Sequence, residues 1–105
     1  MRYDVFIEPG VHRDRTRLPG NVRQRIRSVI SALASNPRPA GSEALDASGI
    51  DVPQGVEMRR YRLDPWRLVY AVSDESCWVW VLAMRCRPPY DYADVAELLA
   101  RIPRP

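Results

Sequence analysis

The sequence contains no lysine: all 16 of its basic residues are arginine. That excludes chemistry through a lysine amine, such as a Schiff base. An arginine guanidinium also stays protonated, so none of these side chains is a ready general base. Histidine is reduced to His12, and cysteine to Cys77 and Cys86. Two cysteines do not make a secreted disulfide framework. With one histidine and no C-x-x-C pair, no metal site is expected, and no cofactor. Long apolar runs are missing too. The longest, Cys77 to Met84, falls well short of the roughly 20 residues that span a bilayer. The opening Met1-Arg2-Tyr3-Asp4-Val5 lacks the apolar core of a signal peptide. The expectation is a soluble cytoplasmic protein with no membrane association.

What is present fits one folded domain, residues 1–105. Such a length buries roughly two-thirds of its unfolded surface and leaves no room for a two-domain enzyme. Hydrophobic residues make up 46%, which argues against disorder. The formal net charge is only +3.

Hydrophobic periodicity orders the elements. Tyr3, Val5 and Ile7 alternate with polar residues, which predicts a strand over 2–8. Glu8-Pro9-Gly10 breaks it, and a short basic helix follows over about 11–17. Leu18, Val22, Ile26, Val29, Ile30 and Leu33 form one apolar stripe of a second helix, with Pro19 in its first turn. Asn36-Pro37 ends it. Arg23, Arg25 and Arg27 project away from the stripe, as a solvated helix face does. Residues 35–55 read as a long irregular stretch with Leu45 as an apolar anchor. Val56–Leu63, Trp66–Val72 and Cys77–Arg85 read as three strands of an antiparallel meander, with Asp64-Pro65 as the first tight turn. Cys77–Arg85 is apolar at both parities, with Trp78, Trp80, Leu82 and Met84 on one and Val79, Val81 and Ala83 on the other. That marks it as the most buried strand. Val95, Leu98, Leu99 and Ile102 place a short amphipathic helix within 90–102. The fold class is therefore α+β: an N-terminal strand, a helical hairpin covering one sheet face, a three-stranded antiparallel meander and a C-terminal helix. The first strand joins the sheet at an edge or beside the last strand.

Six arginines lie between residues 59 and 87: Arg59, Arg60, Arg62, Arg67, Arg85 and Arg87. Parity puts Arg60 and Arg62 on one face. Arg67 follows across the turn, and Arg85 and Arg87 end the last strand. Strand ends meeting on one concave face would gather several guanidinium groups, which match phosphate geometry bidentately. Tyr90 and Tyr92 follow closely and offer rings for base stacking. Trp66, beside Arg67, is the tryptophan expected to be most exposed, whereas Trp78 and Trp80 read as core.

The stretch Arg60-Tyr61-Arg62-Leu63-Asp64-Pro65-Trp66-Arg67-Leu68-Val69-Tyr70 resembles the central signature of the RelE/ParE superfamily of toxins from type II toxin–antitoxin systems. Leu18-Pro19 with Val22-Arg23, Asn36-Pro37-Arg38-Pro39, and Arg85-Cys86-Arg87-Pro88-Pro89-Tyr90 resemble, in order, the opening of the family's long helix, the break after it and its basic segment ending in tyrosine. The resemblance spans about ninety residues and implies a RelE-like fold. It also implies an endoribonuclease, an mRNA interferase that cuts messenger RNA in the ribosomal A site, and a cognate antitoxin protein as partner. Carried over by position, Arg60 stands at the catalytic basic residue, Arg67 would hold the scissile phosphate, and Arg87 would stabilise the leaving group. Tyr90 or Tyr92 would be the catalytic tyrosine. Arg59, Arg62, Arg85 and Trp66 would contact RNA. The reaction would be attack of a 2′-hydroxyl on the adjacent phosphate to give a 2′,3′-cyclic phosphate, with arginines stabilising the phosphorane.

The sequence departs from the RelE pattern at Met58, where a second lysine is usual, and no lysine can serve as base. Tyr90, Tyr92, Asp91 or a ribosomal group would have to act instead. The segment Ser42–Gly55 is longer than is usual in the family and would gate the site if it folds over the sheet. Two other readings stand beside the nuclease: a ParE-like inhibitor of DNA gyrase, and a degenerate relative that only binds its antitoxin.

Overall fold

The computed structural model describes residues 2–46, 51–85 and 95–102. The elements are β1 (Asp4–Ile7), α1 (Pro9–Thr16), α2 (Gly20–Leu33), β2 (Ser42–Ala44), β3 (Val56–Leu63), β4 (Trp66–Ser73), β5 (Trp78–Arg85) and α3 (Val95–Ala100). They form one five-stranded sheet in the order β1-β5-β4-β3-β2. β1 runs parallel to β5, so it lies at an edge and beside the last strand. The other pairings are antiparallel. Among the described residues, no helix is long and apolar enough to cross a membrane.

The α2 stripe does what its spacing predicts. Ile26, Ile30 and Leu33 are buried against Leu68, Tyr70, Val72, Val79, Val81 and Met84 of the sheet, with Val11 of α1. Burying a side chain such as Ile26 contributes about 1.5–3 kcal/mol. Tyr70 is fully buried, and its hydroxyl donates to the Pro37 carbonyl at 2.8 Å, so the chain leaving α2 is tied to the sheet. The second face carries a separate apolar cluster. Met58, Val69, Ala71, Leu82 and Ala83 lie under Leu99 and Ile102, with Leu45 and Val52 packed at its side. The sheet is thus covered on both faces, and Leu45 is the anchor its sequence context predicts.

Three details differ from the sequence reading. First, the stretch 35–55 contains a strand: β2 pairs with β3 through Ser42–Tyr61, Glu43–Arg60 and Ala44–Arg59. Ser-Glu-Ala carries no apolar alternation, so the edge of β3 rather than its own pattern makes it a strand. Second, β4 is more completely buried than β5. β4 has a full-length partner on each side, whereas β5 is flanked by the four-residue β1.

Third, the parity of β5 changes along its length. Val69 pairs with Ala83 but Tyr70 pairs with Val81, so Leu82 is an extra residue in the strand. Such a bulge turns the side chains beyond it to the other face. Arg85 and Ala83 therefore share a face with Trp80 and Trp78, while Met84 joins Val81 and Val79 under the helices.

Candidate phosphate-binding face

The register of the three long strands builds the site. Arg62 pairs with Arg67, and Arg67 pairs with Arg85. Residues directly opposite in antiparallel strands point the same way, with Cα atoms about 4.5–5.5 Å apart. Three arginines therefore form one row across the sheet at its end, on the face away from the α1–α2 hairpin. One row inward, about 7 Å along the strands, Glu43, Arg60, Val69 and Ala83 are aligned. Leu63 pairs with Trp66 at the end of the β3–β4 hairpin, next to the Arg62–Arg67 pair.

Carboxylates hold these guanidinium groups in place. Asp64 accepts from Arg62 Nε at 3.1 Å and from Arg67 Nη1 at 3.1 Å. Those two arginines, Arg62 first, keep its carboxyl below the usual carboxylate range. Arg67 also donates to the Trp66 carbonyl at 2.9 Å, and only 14% of its side chain is exposed, against 66% for Arg62. Arg67 is thus the more buried of the two, and Arg62 the exposed one. Arg60 Nε donates to Glu43 Oε1 at 2.7 Å. Arg85 donates to the Met84 carbonyl at 3.2 Å.

The face so formed brings together Arg60, Arg62, Arg67 and Arg85 of the sequence-derived set. It does not include Arg59 or Trp66. Arg59 lies on the opposite face, where its guanidinium donates to Ser42 Oγ at 2.9 Å and to Glu57 Oε1 at 3.3 Å. Trp66 packs with the hairpin-side core and lines a hollow with Leu18 and Met84. Single-residue alternation places both there, since each is one step out of phase with Arg60, Arg62 and Arg67. Arg87, Tyr90 and Tyr92 lie outside the described residues.

Two site residues were missed in the sequence. Asp64 reads as a turn former, although its position two after Arg62 and three before Arg67 is itself a signal. Glu43 gives no signal, because nothing in residues 35–55 announces a strand. Among the described residues, the aromatic side chains of this face sit away from the arginine row. Trp80 stacks on Phe6 with ring centroids 4.7 Å apart and donates its Nε1–H to the buried Glu8 at 3.0 Å, toward the far end of β5.

No protein-family model and no curated protein matches the sequence. Solved structures do match the fold. An archaeal RelE–RelB complex from Pyrococcus horikoshii superposes with a TM-score of 0.72 at 22% identity, over 84% of this chain and 98% of that one. The toxin–antitoxin complex RelBE2 from Mycobacterium tuberculosis gives 0.63 at 21% identity, over 83% of this chain and 100% of that one. The isolated E. coli RelE toxin gives 0.58 at 18% identity, over 94% of this chain and 97% of that one. This chain therefore has the fold of the RelE toxins.

Proposed function

We propose that this protein is the toxin of a type II toxin–antitoxin system and acts as a RelE-like endoribonuclease on messenger RNA at the ribosome. The observation that carries the reading is the in-register row Arg62–Arg67–Arg85, with Arg60 and Glu43 one row inward, on the sheet face away from the α1–α2 hairpin. Guanidinium groups at this spacing suit the non-bridging oxygens of a phosphodiester. Arg67, held by Asp64 and the Trp66 carbonyl, is oriented before substrate arrives, which is what transition-state stabilisation needs.

Glu43 supplies the base that the sequence lacked. Its carboxylate sits against Arg60 on the same face, and an oxygen not engaged by Arg60 is available to take the 2′-hydroxyl proton. The 2′-oxygen then attacks phosphorus, the bond to the 5′-oxygen breaks, and a 2′,3′-cyclic phosphate and a 5′-hydroxyl result. Arg87 and Tyr90 or Tyr92 are assigned to the leaving oxygen on the family resemblance. The cognate partner is an antitoxin protein, as in the RelE–RelB and RelBE2 complexes of similar fold. An acidic segment of that partner would be drawn to the arginine face.

The test is in vitro translation with mapping of message ends. Cuts at the A-site codon are expected, abolished by Arg67→Ala or Arg87→Ala, and slowed about 10²–10⁴-fold by Glu43→Gln. Intact message during complete translation arrest would overturn the nuclease reading. Inhibited supercoiling with untouched RNA would replace it with the gyrase reading.

A further inference from the structure

The charge on this molecule is distributed unevenly. Residues 9–34, the α1–α2 hairpin, hold six arginines against a single acid, Asp14. That excess is larger than the formal +3 of the whole chain. On the sheet face Arg60, Arg62 and Arg67 form ion pairs with Glu43 or Asp64, but the arginines of the hairpin have no such pairs among the described residues. Among the described residues, Arg13, Arg17, Arg23, Arg25 and Arg27 have no ion-pair partner. Arg15 meets only the His12 ring, at 3.1 Å.

Part of this charge is shaped into a cleft. Arg15 and Thr16 at the end of α1 face Gly20, Arg23, Gln24 and Arg27 at the start of α2 around a volume of about 470 Å³. Arg23 and Arg27 are one helical turn apart and lie on the same side of α2, away from Ile26 and Ile30. The cleft is on the hairpin side of the molecule, across the sheet from the Arg62–Arg67–Arg85 row.

We propose that this cleft binds the backbone of double-helical RNA, as a docking surface separate from the sheet face. Three guanidinium groups from two helices provide bidentate donors for successive phosphates. Among the described residues no aromatic side chain lines the cleft, so an unpaired base finds no ring there to stack on, and a single strand gains little. Nor does any apolar side chain among the described residues line it to seat the stripe of an acidic amphipathic helix. Thr16, whose hydroxyl donates to the Arg13 carbonyl at 2.7 Å and so offers its oxygen as an acceptor, and Gln24, with its amide, are set among the arginines. Those groups suit the 2′-hydroxyls exposed in the shallow groove of A-form RNA. The proposal does not depend on the sheet face cutting RNA.

The experiment measures binding of the full chain to a fluorescent 16-base-pair RNA duplex across a salt series. Arg15→Ala, Arg23→Ala and Arg27→Ala together should weaken binding at least about tenfold. They should also lower the slope of log affinity against log salt by about two to three. The corresponding three Arg→Lys changes should keep most of the slope, and unchanged thermal melting would show that the fold is intact. Arg62→Ala with Arg67→Ala should leave duplex binding in place, which separates this surface from the nuclease reading. An unchanged slope in the alanine variant overturns the proposal. So does equally tight binding of a DNA duplex of the same length, because the 2′-hydroxyl contacts would then contribute nothing.

Discussion

At Asp64 one carboxylate serves two guanidinium groups, Arg62 and Arg67, that would otherwise face solvent or phosphate. It orients Arg67, and it also occupies the donors an incoming phosphate must use. On the proposed function, an RNA phosphate would bind by displacing an internal anion. Asp64→Asn removes that competing charge and keeps the turn. Affinity for single-stranded RNA should rise about two- to fivefold, in keeping with the modest strength of exposed ion pairs. Filter binding or fluorescence anisotropy measures it. An unchanged or weaker affinity would mean that orientation of Arg67 outweighs the competition. Glu43 and Arg60 form the equivalent pair one row inward, at 2.7 Å. With no lysine in the chain, the proposed nuclease would take its base from Glu43 rather than from an amine.

At the scale of elements, β2 decides whether Glu43 reaches the site. It is only three residues long, and Gly41 holds its entry. A Cβ at position 41 would stand 2.9 Å from the Tyr61 ring, while the Gly41 carbonyl accepts from the Arg62 amide at 3.0 Å. The close approach of Gly41 to the Tyr61 ring is what lets β2 pair in register. Gly41→Ala should force the strand outward, cost about 1–3 kcal/mol as overpacking does, and shift Glu43 from Arg60. Denaturant unfolding reports the stability change, and cleavage rate reports the loss of Glu43. Wild-type values in both would show that the Tyr61 ring yields without disturbing β2. The bulge at Leu82 is the second element-level device, since it puts Arg85 and Trp80 on one face of a strand whose simple alternation separates them.

Across the whole molecule, one exposed ion-pair cluster ties distant parts of the chain together. Arg38, after α2, donates to both Asp74 oxygens at 3.1 and 2.9 Å and to Glu57 on β3 at 2.9 Å. Tyr3, before β1, donates to Asp74 at 2.6 Å. These bonds, Arg38 first and Tyr3 second, hold the Asp74 carboxyl below its usual range. The unfolded chain then binds the proton first, so this contribution is complete above the ordinary aspartate value, near 4, and is lost as pH falls through the lower folded value. The hydrogen bond to Asp74 raises the Tyr3 hydroxyl. Ionisation then favours the unfolded chain, and stability falls as pH rises past about 10. Melting temperature against pH should decline at both ends. Asp74→Asn should flatten both limbs, and an unaltered profile in that variant would remove the clasp from the stability of the fold.

Hydrophobic spacing alone determined the α2 stripe, the three meander strands, the Asp64-Pro65 hairpin and the presence of a terminal helix. The arginine positions in sequence were enough to place Arg60, Arg62 and Arg67 on one face, because strand parity and a two-residue turn are local rules, whereas Arg85 joins them through the register shift in β5. What tertiary structure decided was everything that depends on a partner from elsewhere in the chain. Ser-Glu-Ala becomes a strand because the edge of β3 offers it unpaired backbone groups. Glu43 enters the site through that pairing. Arg59 and Trp66 fall on the hairpin side, and Trp80 comes to the arginine side through one extra residue in β5. The sequence holds the arginines, but packing decides which of them share a face.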